Sequence, residues 1–159
     1  MTVAYPPAVH DFDFIHGHWT IANRRLKTRG VGADDWDAFA STAFCEPRLD
    51  GLVNVEQIAC PDRGWIGMSL RSFDLERGVW SIWWISSLNG QLQPPVSGRF
   101  EDGGCVLEGP DSDGDRPILA RYIWSDITAE TARWTQIFSY DEGATWEANW
   151  IMDFTRAVQ

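Results

Sequence analysis

The sequence has few features that would support membrane insertion, disulfide bonding or secretion. No apolar run is long enough to span a membrane, and the first residues show neither the basic start nor the apolar stretch of a signal peptide. The cysteines, Cys45, Cys60 and Cys105, are odd in number and lack the C-x-x-C spacing of a metal site. We therefore expect a soluble, cytoplasmic protein with reduced cysteines and no membrane partner.

Positive charge is also scarce. The 159-residue chain has 13 Lys and Arg against 23 Asp and Glu, which gives a formal net charge of −10. Such a surface repels nucleic acid, so nucleic acid is excluded as a partner. The length predicts one domain over residues 1–159, because two ordinary cores would need a longer chain.

Motifs of catalysis and metal binding are missing as well. There is no nucleophile elbow, no Ser/His/Asp order and no phosphate-binding glycine loop. His16 and His18 would point to the same side of a strand, with His10 nearby, but no carboxylate follows at the spacing of a metal site. The acidic run 111–115 lacks the downstream Glu of a calcium loop. We expect no metal and no other cofactor.

Tryptophan is abundant, and its spacing indicates strands. The ten tryptophans fall in runs that alternate with a period of two, and glycine-containing turns separate these runs. The sequence therefore predicts an all-β protein, an antiparallel up-and-down barrel of about ten strands, since closure removes exposed sheet edges. The predicted strands are 18–27, 36–45, 52–59, 65–73, 79–86, 97–101, 105–108, 118–125, 133–140 and 145–155.

Both ends of the chain carry signals for barrel closure. Trp19, in a G-x-W motif, is expected to plug the barrel floor, and Arg156 is expected to stack on its outer rim. Residues 6–16 predict a short lid helix capped by Asp11 or Asp13, with Phe12 and its apolar neighbours turned inward. The longest loop, 87–96, either gates the barrel mouth or only connects two strands.

An S-x-D-x-G-x-T-W motif at residues 139–146 resembles the Asp-box of sialidases. It predicts a tight hairpin closed by Asp141 and Gly143, and its single copy excludes a propeller. With residues 141–144 as the loop, Gln136 would lie opposite Asn149 and Trp134 opposite Ile151.

Two longer segments carry a family resemblance. These are F-x-F-I-x-G-x-W at residues 12–19 and the tryptophan-rich segment 121–150, R-x-I-W-S-D-I to W-E-x-N-W. Together they resemble the DUF1579 group of bacterial uncharacterised proteins. The resemblance implies a calycin-like barrel of the lipocalin or nitrobindin type and no established activity. The glycine-rich run of haem-binding nitrobindins is absent after Trp19, so haem is not expected.

Several polar residues in these strands are candidates for a site. Arg71, among the indoles of Trp83 and Trp84, could clamp a ligand carboxylate, although a solvent-facing arginine is the preferred interpretation. Glu56 and Tyr122 could supply acid–base chemistry in a dry cavity.

A second group of candidates comes from the predicted register of the last strands. That register places Trp134, Gln136 and Asn149 on one mixed face, to which the preceding hairpin adds Arg121. This face is either a polar ligand site or, as preferred, solvated exterior.

The function favoured by these observations is binding of a small hydrophobic or aromatic metabolite in an indole-lined cavity. The alternatives are a cofactor-independent isomerase, cyclase or hydrolase acting in the same cavity, and a structural module whose core is filled by its own tryptophans. The sequence leaves the ligand open, and also whether the chain is a monomer or a homodimer. The predicted ligand-binding residues are Glu56, Arg71, Trp83, Trp84, Arg121, Tyr122, Trp134, Gln136 and Asn149.

Overall fold

Ten antiparallel strands close into a barrel in the computed structural model, which describes residues 1–158. Each strand pairs with the next along the chain, and the last pairs with the first, so the predicted all-β up-and-down barrel is confirmed. The strands are β1 (Gly17–Leu26), β2 (Trp36–Arg48), β3 (Val53–Cys60), β4 (Trp65–Asp74), β5 (Val79–Ser86), β6 (Val96–Glu101), β7 (Gly104–Asp113), β8 (Arg116–Ser125), β9 (Thr131–Ser139) and β10 (Glu147–Arg156).

The seventh strand is longer than the sequence predicts. The predicted strand stops at residue 108, yet Gly109 and Pro110 lie within β7 and pair with β8. Gly109 is needed there because a Cβ at this position would come within 2.3 Å of the backbone oxygen of Pro95. The glycine therefore marks a close approach of two backbones and not a turn.

The barrel has a closed end and an open end. At the closed end, before β1, the chain forms two short 3-10 helices, Pro7–His10 and Asp13–Ile15, which bury Phe12 and Ile15 completely. This confirms the predicted lid, although neither helix has the side-chain cap expected from Asp11 or Asp13. The open end carries the loops that follow β1, β3, β5, β7 and β9.

Trp19 and Arg156 close the barrel as predicted. The Trp19 indole is 1% exposed, and its Nε1 donates a 2.8 Å hydrogen bond to the carbonyl of Ile15. The Arg156 guanidinium carbon lies 4.1 Å from the centroid of the Trp19 ring. The same guanidinium donates hydrogen bonds to the carbonyls of Phe14, His16 and Ala129, so it ties the first and last strands to the lid.

The predicted hairpin between β9 and β10 is also present. Asp141 accepts hydrogen bonds from the backbone nitrogen and the hydroxyl of Thr145 and from the hydroxyl of Ser139. The side-chain hydrogen bond from Thr145 is the main reason that the pKa of Asp141 is lowered to about 2. Gly143 has a φ of 92°, which favours glycine at this position.

The register beyond this hairpin differs from the prediction because Asn149 forms a β-bulge. Glu147 pairs with Phe138 as expected, but Gln136 pairs with Trp150 and Trp134 pairs with Met152. A bulge sets two residues against one, so every later side chain of β10 changes face. Burial shows which face of β9 is inward: Trp134 is buried, and Trp134 and Gln136 line the interior of the barrel, so the preferred interpretation of this face as exterior was wrong.

Candidate functional site

The inward side chains of the barrel leave a small internal cavity, which we call the chamber. Its volume is about 40 Å³. This is space for about three water molecules. Its polar lining residues are Glu56, Ser69, Arg71, Tyr122 and Gln136, and indoles and aliphatic side chains form the rest of the wall.

A buried ion pair lies at the chamber. Arg71 Nη2 on β4 and Glu56 Oε1 on β3 are 2.7 Å apart, and the two residues are 2% and 1% exposed. Arg71 Nη1 donates a second hydrogen bond, of 3.0 Å, to Asn54 Oδ1. Since the positive charge of Arg71 is compensated by Glu56, the pair presents no net charge to the chamber.

Aromatic rings hold the Arg71 guanidinium in place. Its central carbon is 5.4 Å from the ring centroid of Phe12 in the lid and 5.6 Å from that of Trp124. These distances are typical of cation–π contacts. The preferred sequence interpretation of Arg71 as solvent-facing was therefore wrong, and its ion pair with Glu56 makes it unsuitable as a free clamp for a ligand carboxylate.

Several buried polar atoms around the chamber have no hydrogen-bond partner within the described chain. Three of them belong to chamber residues: Glu56 Oε2, Arg71 Nε and Trp124 Nε1. The side-chain nitrogens of Asn54 and Asn149 are unpartnered as well. An unmet buried polar group costs about 1–3 kcal/mol, so the chamber offers one acceptor and two donors to whatever occupies it.

Four tryptophans form a cage where the chamber meets a wider pocket at the open end. Trp150 is perpendicular to Trp65, Trp84 and Trp134, with ring centroids 5.9, 6.5 and 5.5 Å away. Its Nε1 donates a 2.9 Å hydrogen bond to Asn23 Oδ1, which fixes the plane of the ring. Edge-to-face packing of this kind is favourable for aromatic quadrupoles and keeps the wall rigid.

Gly67 on β4 makes room for one wall of this cage. A Cβ at Gly67 would lie 2.0 Å from the Cη2 atom of Trp84. The Trp84 ring therefore lies directly on the backbone of the neighbouring strand, and any side chain at Gly67 would move it.

The chamber adjoins a wider pocket at the open end, which we call the vestibule. Its volume is about 300 Å³, and it shares Trp84, Tyr122, Gln136 and Trp150 with the chamber. Leu88, Asn89 and Gln93 also line it. The connection between β5 and β6 thus forms part of the barrel mouth.

The structure brings most of the predicted site residues together. Six of the nine line the chamber: Glu56, Arg71, Trp84, Tyr122, Trp134 and Gln136. Asn149 is buried beside them and its Oδ1 accepts a 2.8 Å hydrogen bond from Gln136 Nε2.

The other two predicted residues lie on the outer face and do not reach the chamber. Trp83 pairs with Leu70 and points away from its neighbour Trp84, because side chains alternate along a strand. Arg121 donates to Glu108 Oε1 at 2.7 Å, and its guanidinium lies over the Trp146 ring. Both placements correct the sequence-based site.

Sequence reasoning also missed some residues of the site. Trp65, Trp124 and Trp150 contribute to the cage or the chamber, and Asn54 orients Arg71. The alternation that identified Trp84 would have identified Trp124 as well, whereas Trp150 faces inward only because of the bulge.

The histidines do not form a cluster. His10 Nδ1 is 2.9 Å from Asp13 Oδ2, and His18 stacks on Phe44 at 4.4 Å between ring centroids. Across residues 1–158 no group of three His, Cys, Asp or Glu is arranged to hold a metal ion. Within the same residues no helix has the length and apolar character needed to cross a membrane.

Comparison with known proteins gives a limited result. No protein-family model matches the chain, and no curated protein matches it in sequence. Among solved structures, an S-type phycobiliprotein lyase from Guillardia theta is similar over 93% of this chain and 91% of that chain, with 13% identity and a TM-score of 0.49. This likeness assigns no ligand to the present chain. The DUF1579 resemblance stays a prediction, whereas the barrel that it implies is present.

Proposed function

We propose that this chain binds a small, largely aromatic molecule at the indole-lined open end of its barrel, with one polar group of the ligand inserted into the chamber. The observation that carries the proposal is the set of unpartnered atoms at the chamber, Glu56 Oε2, Arg71 Nε and Trp124 Nε1. A ligand hydroxyl could donate to the first and accept from one of the others.

The volumes of the chamber and the vestibule indicate where each part of the ligand binds. A dry cavity that admits benzene has about 150 Å³, so the chamber, at about 40 Å³, is too small for a ring. The vestibule, at about 300 Å³, is at the lower end of the range of small-molecule pockets. The ring therefore belongs in the vestibule, against Trp84, Trp150 and Tyr122, and only a small polar group fits below it.

The chemistry of the lining supports binding more than proton transfer. Glu56 is held in an ion pair with Arg71, and burial raises the pKa of Tyr122, which keeps its proton at neutral pH. The enzyme alternative, an isomerase, cyclase or hydrolase, therefore has less support than a binding protein.

The test uses calorimetric titration with 3-(4-hydroxyphenyl)propionamide, a neutral ring compound with a hydroxyl at one end. We expect Trp84→Phe to weaken binding about fivefold to tenfold, because the indole contributes contact area and edge-to-face packing. Trp83→Phe is the matched control, since its side chain lies one residue away on the outer face. It should bind like the wild type.

Two results would contradict the proposal. One is the absence of binding to the wild type. The other is an equal effect of Trp83→Phe and Trp84→Phe, which would indicate a general loss of stability. 3-Phenylpropionamide, which lacks the hydroxyl, should also bind more weakly, because Glu56 Oε2 then receives no hydrogen bond.

A further inference from the structure

Arg25 is a cation of the vestibule with no ion-pair partner. It follows the inward residues Ile21 and Asn23 on β1, and its guanidinium carbon lies 4.4 Å from the ring centroid of Trp150. No carboxylate of residues 1–158 lies within 4.0 Å of its guanidinium, which makes no hydrogen bond to other described residues. It lines the vestibule directly above the indole cage.

Two charged neighbours of Arg25 are committed to other partners. Arg29, also in the vestibule, donates to Asp113 Oδ1 at 2.7 Å. Asp37, which pairs with Arg25 across β1 and β2, has its carboxylate 2.6 Å from Arg63 Nη2. Neither of them forms an ion pair with Arg25, although the net charge of the chain is −10.

The environment also positions Arg25 for binding. It stacks on Trp150, whose ring plane is fixed by the hydrogen bond to Asn23, so little side-chain freedom remains to be lost. Partial burial lowers the pKa of Arg25, but a guanidinium stays protonated in proteins. A ligand anion placed here would gain charge-assisted hydrogen bonds in a partly dry site.

We infer that Arg25 binds a carboxylate of the ligand, and that the ligand is therefore an aromatic acid with a single negative charge. Its ring would lie in the vestibule, its small polar group in the chamber and its carboxylate on Arg25. This inference rests on the proposed function. The Asp111 carboxyl also lines the vestibule, on β7, and repulsion from it disfavours a second negative charge on the ligand.

The test compares 3-(4-hydroxyphenyl)propionate with its amide by calorimetric titration. We expect the wild type to bind the acid at least about tenfold more tightly than the amide, since only the acid gains a charge-assisted contact. Arg25→Met removes the guanidinium that lies over Trp150 but keeps an unbranched side chain, and it should abolish this preference while changing amide affinity little. Arg24→Met is the matched control, because Arg24 is exposed on the outer face, and it should retain the preference.

The outcomes separate this inference from the proposed function. If the wild type binds acid and amide equally, or if Arg25→Met weakens both equally, Arg25 does not bind the carboxylate, and the proposal of an aromatic ligand stands. If neither compound binds the wild type, both proposals are wrong. An acid preference that persists in Arg25→Met would also overturn the assignment.

Discussion

Replacing Arg71 by methionine should destabilise the protein strongly. The substitution leaves the Glu56 carboxyl, 1% exposed, without the guanidinium that lies 2.7 Å from it. Breaking a buried ion pair by removing one partner costs about 3–5 kcal/mol, because the other charge stays buried and uncompensated. That is a large part of the 5–15 kcal/mol of unfolding free energy of a typical domain.

A double substitution tests whether the loss of stability comes from the charge that is left without a partner. In Glu56→Leu combined with Arg71→Met, no charge remains buried, and the unfolding free energy should return to within about 2 kcal/mol of the wild type. The assay is urea unfolding followed by tryptophan fluorescence and circular dichroism. As a control, Arg133→Met breaks a pair with the same 2.7 Å distance to Asp153 that is 41% exposed on each side, and it should cost less than about 1 kcal/mol.

The single and double variants together show whether Arg71 and Glu56 form a stabilising buried ion pair. If Arg71→Met costs no more than Arg133→Met, then the Arg71–Glu56 pair is not a buried ion pair that contributes to stability. If the double variant is as unstable as the sum of the two single variants, the two side chains do not interact.

Two further predictions concern closure and the hairpin. Trp19→Ala should lower the unfolding free energy by about 3–5 kcal/mol, the range for a buried large aromatic, and Arg156→Ala should lower it by less. An unchanged melting temperature in both variants would show that the last strand does not close on the first. Because the folded pKa of Asp141, about 2, lies below its ordinary value of 3.8, its hydrogen bonds stabilise the protein above about pH 4, and this contribution is lost as the pH falls towards 2. Asp141→Asn should flatten the pH dependence of stability in this interval, and a curve that matches the wild type would contradict the role of Asp141.

Local signals predicted most of the fold. The period-two runs identified ten strands, and the Asp-box identified the hairpin after β9, because both depend on interactions between residues that are close in sequence. The closure by Trp19 and Arg156 was also predictable, since only the two ends of an up-and-down barrel can supply it.

The site was harder to predict because it depends on which face of each strand is inward. One bulged residue, Asn149, reverses the later part of β10 and brings Trp150 into the barrel, and no pattern in the sequence marks this bulge. The burial of Arg71 depends on Glu56, fifteen residues away on another strand. Such pairing is set by tertiary register and is not visible in a local window.

The central claim is that the chamber receives a polar group from an aromatic ligand held above it. A crystal structure with 3-(4-hydroxyphenyl)propionate tests this most directly. We expect the ring in the vestibule against Trp84 and Trp150, the hydroxyl at about 3 Å from Glu56 Oε2 and the carboxylate on Arg25. A ring bound elsewhere, or a chamber filled by the protein's own side chains with no room for the hydroxyl, would contradict it.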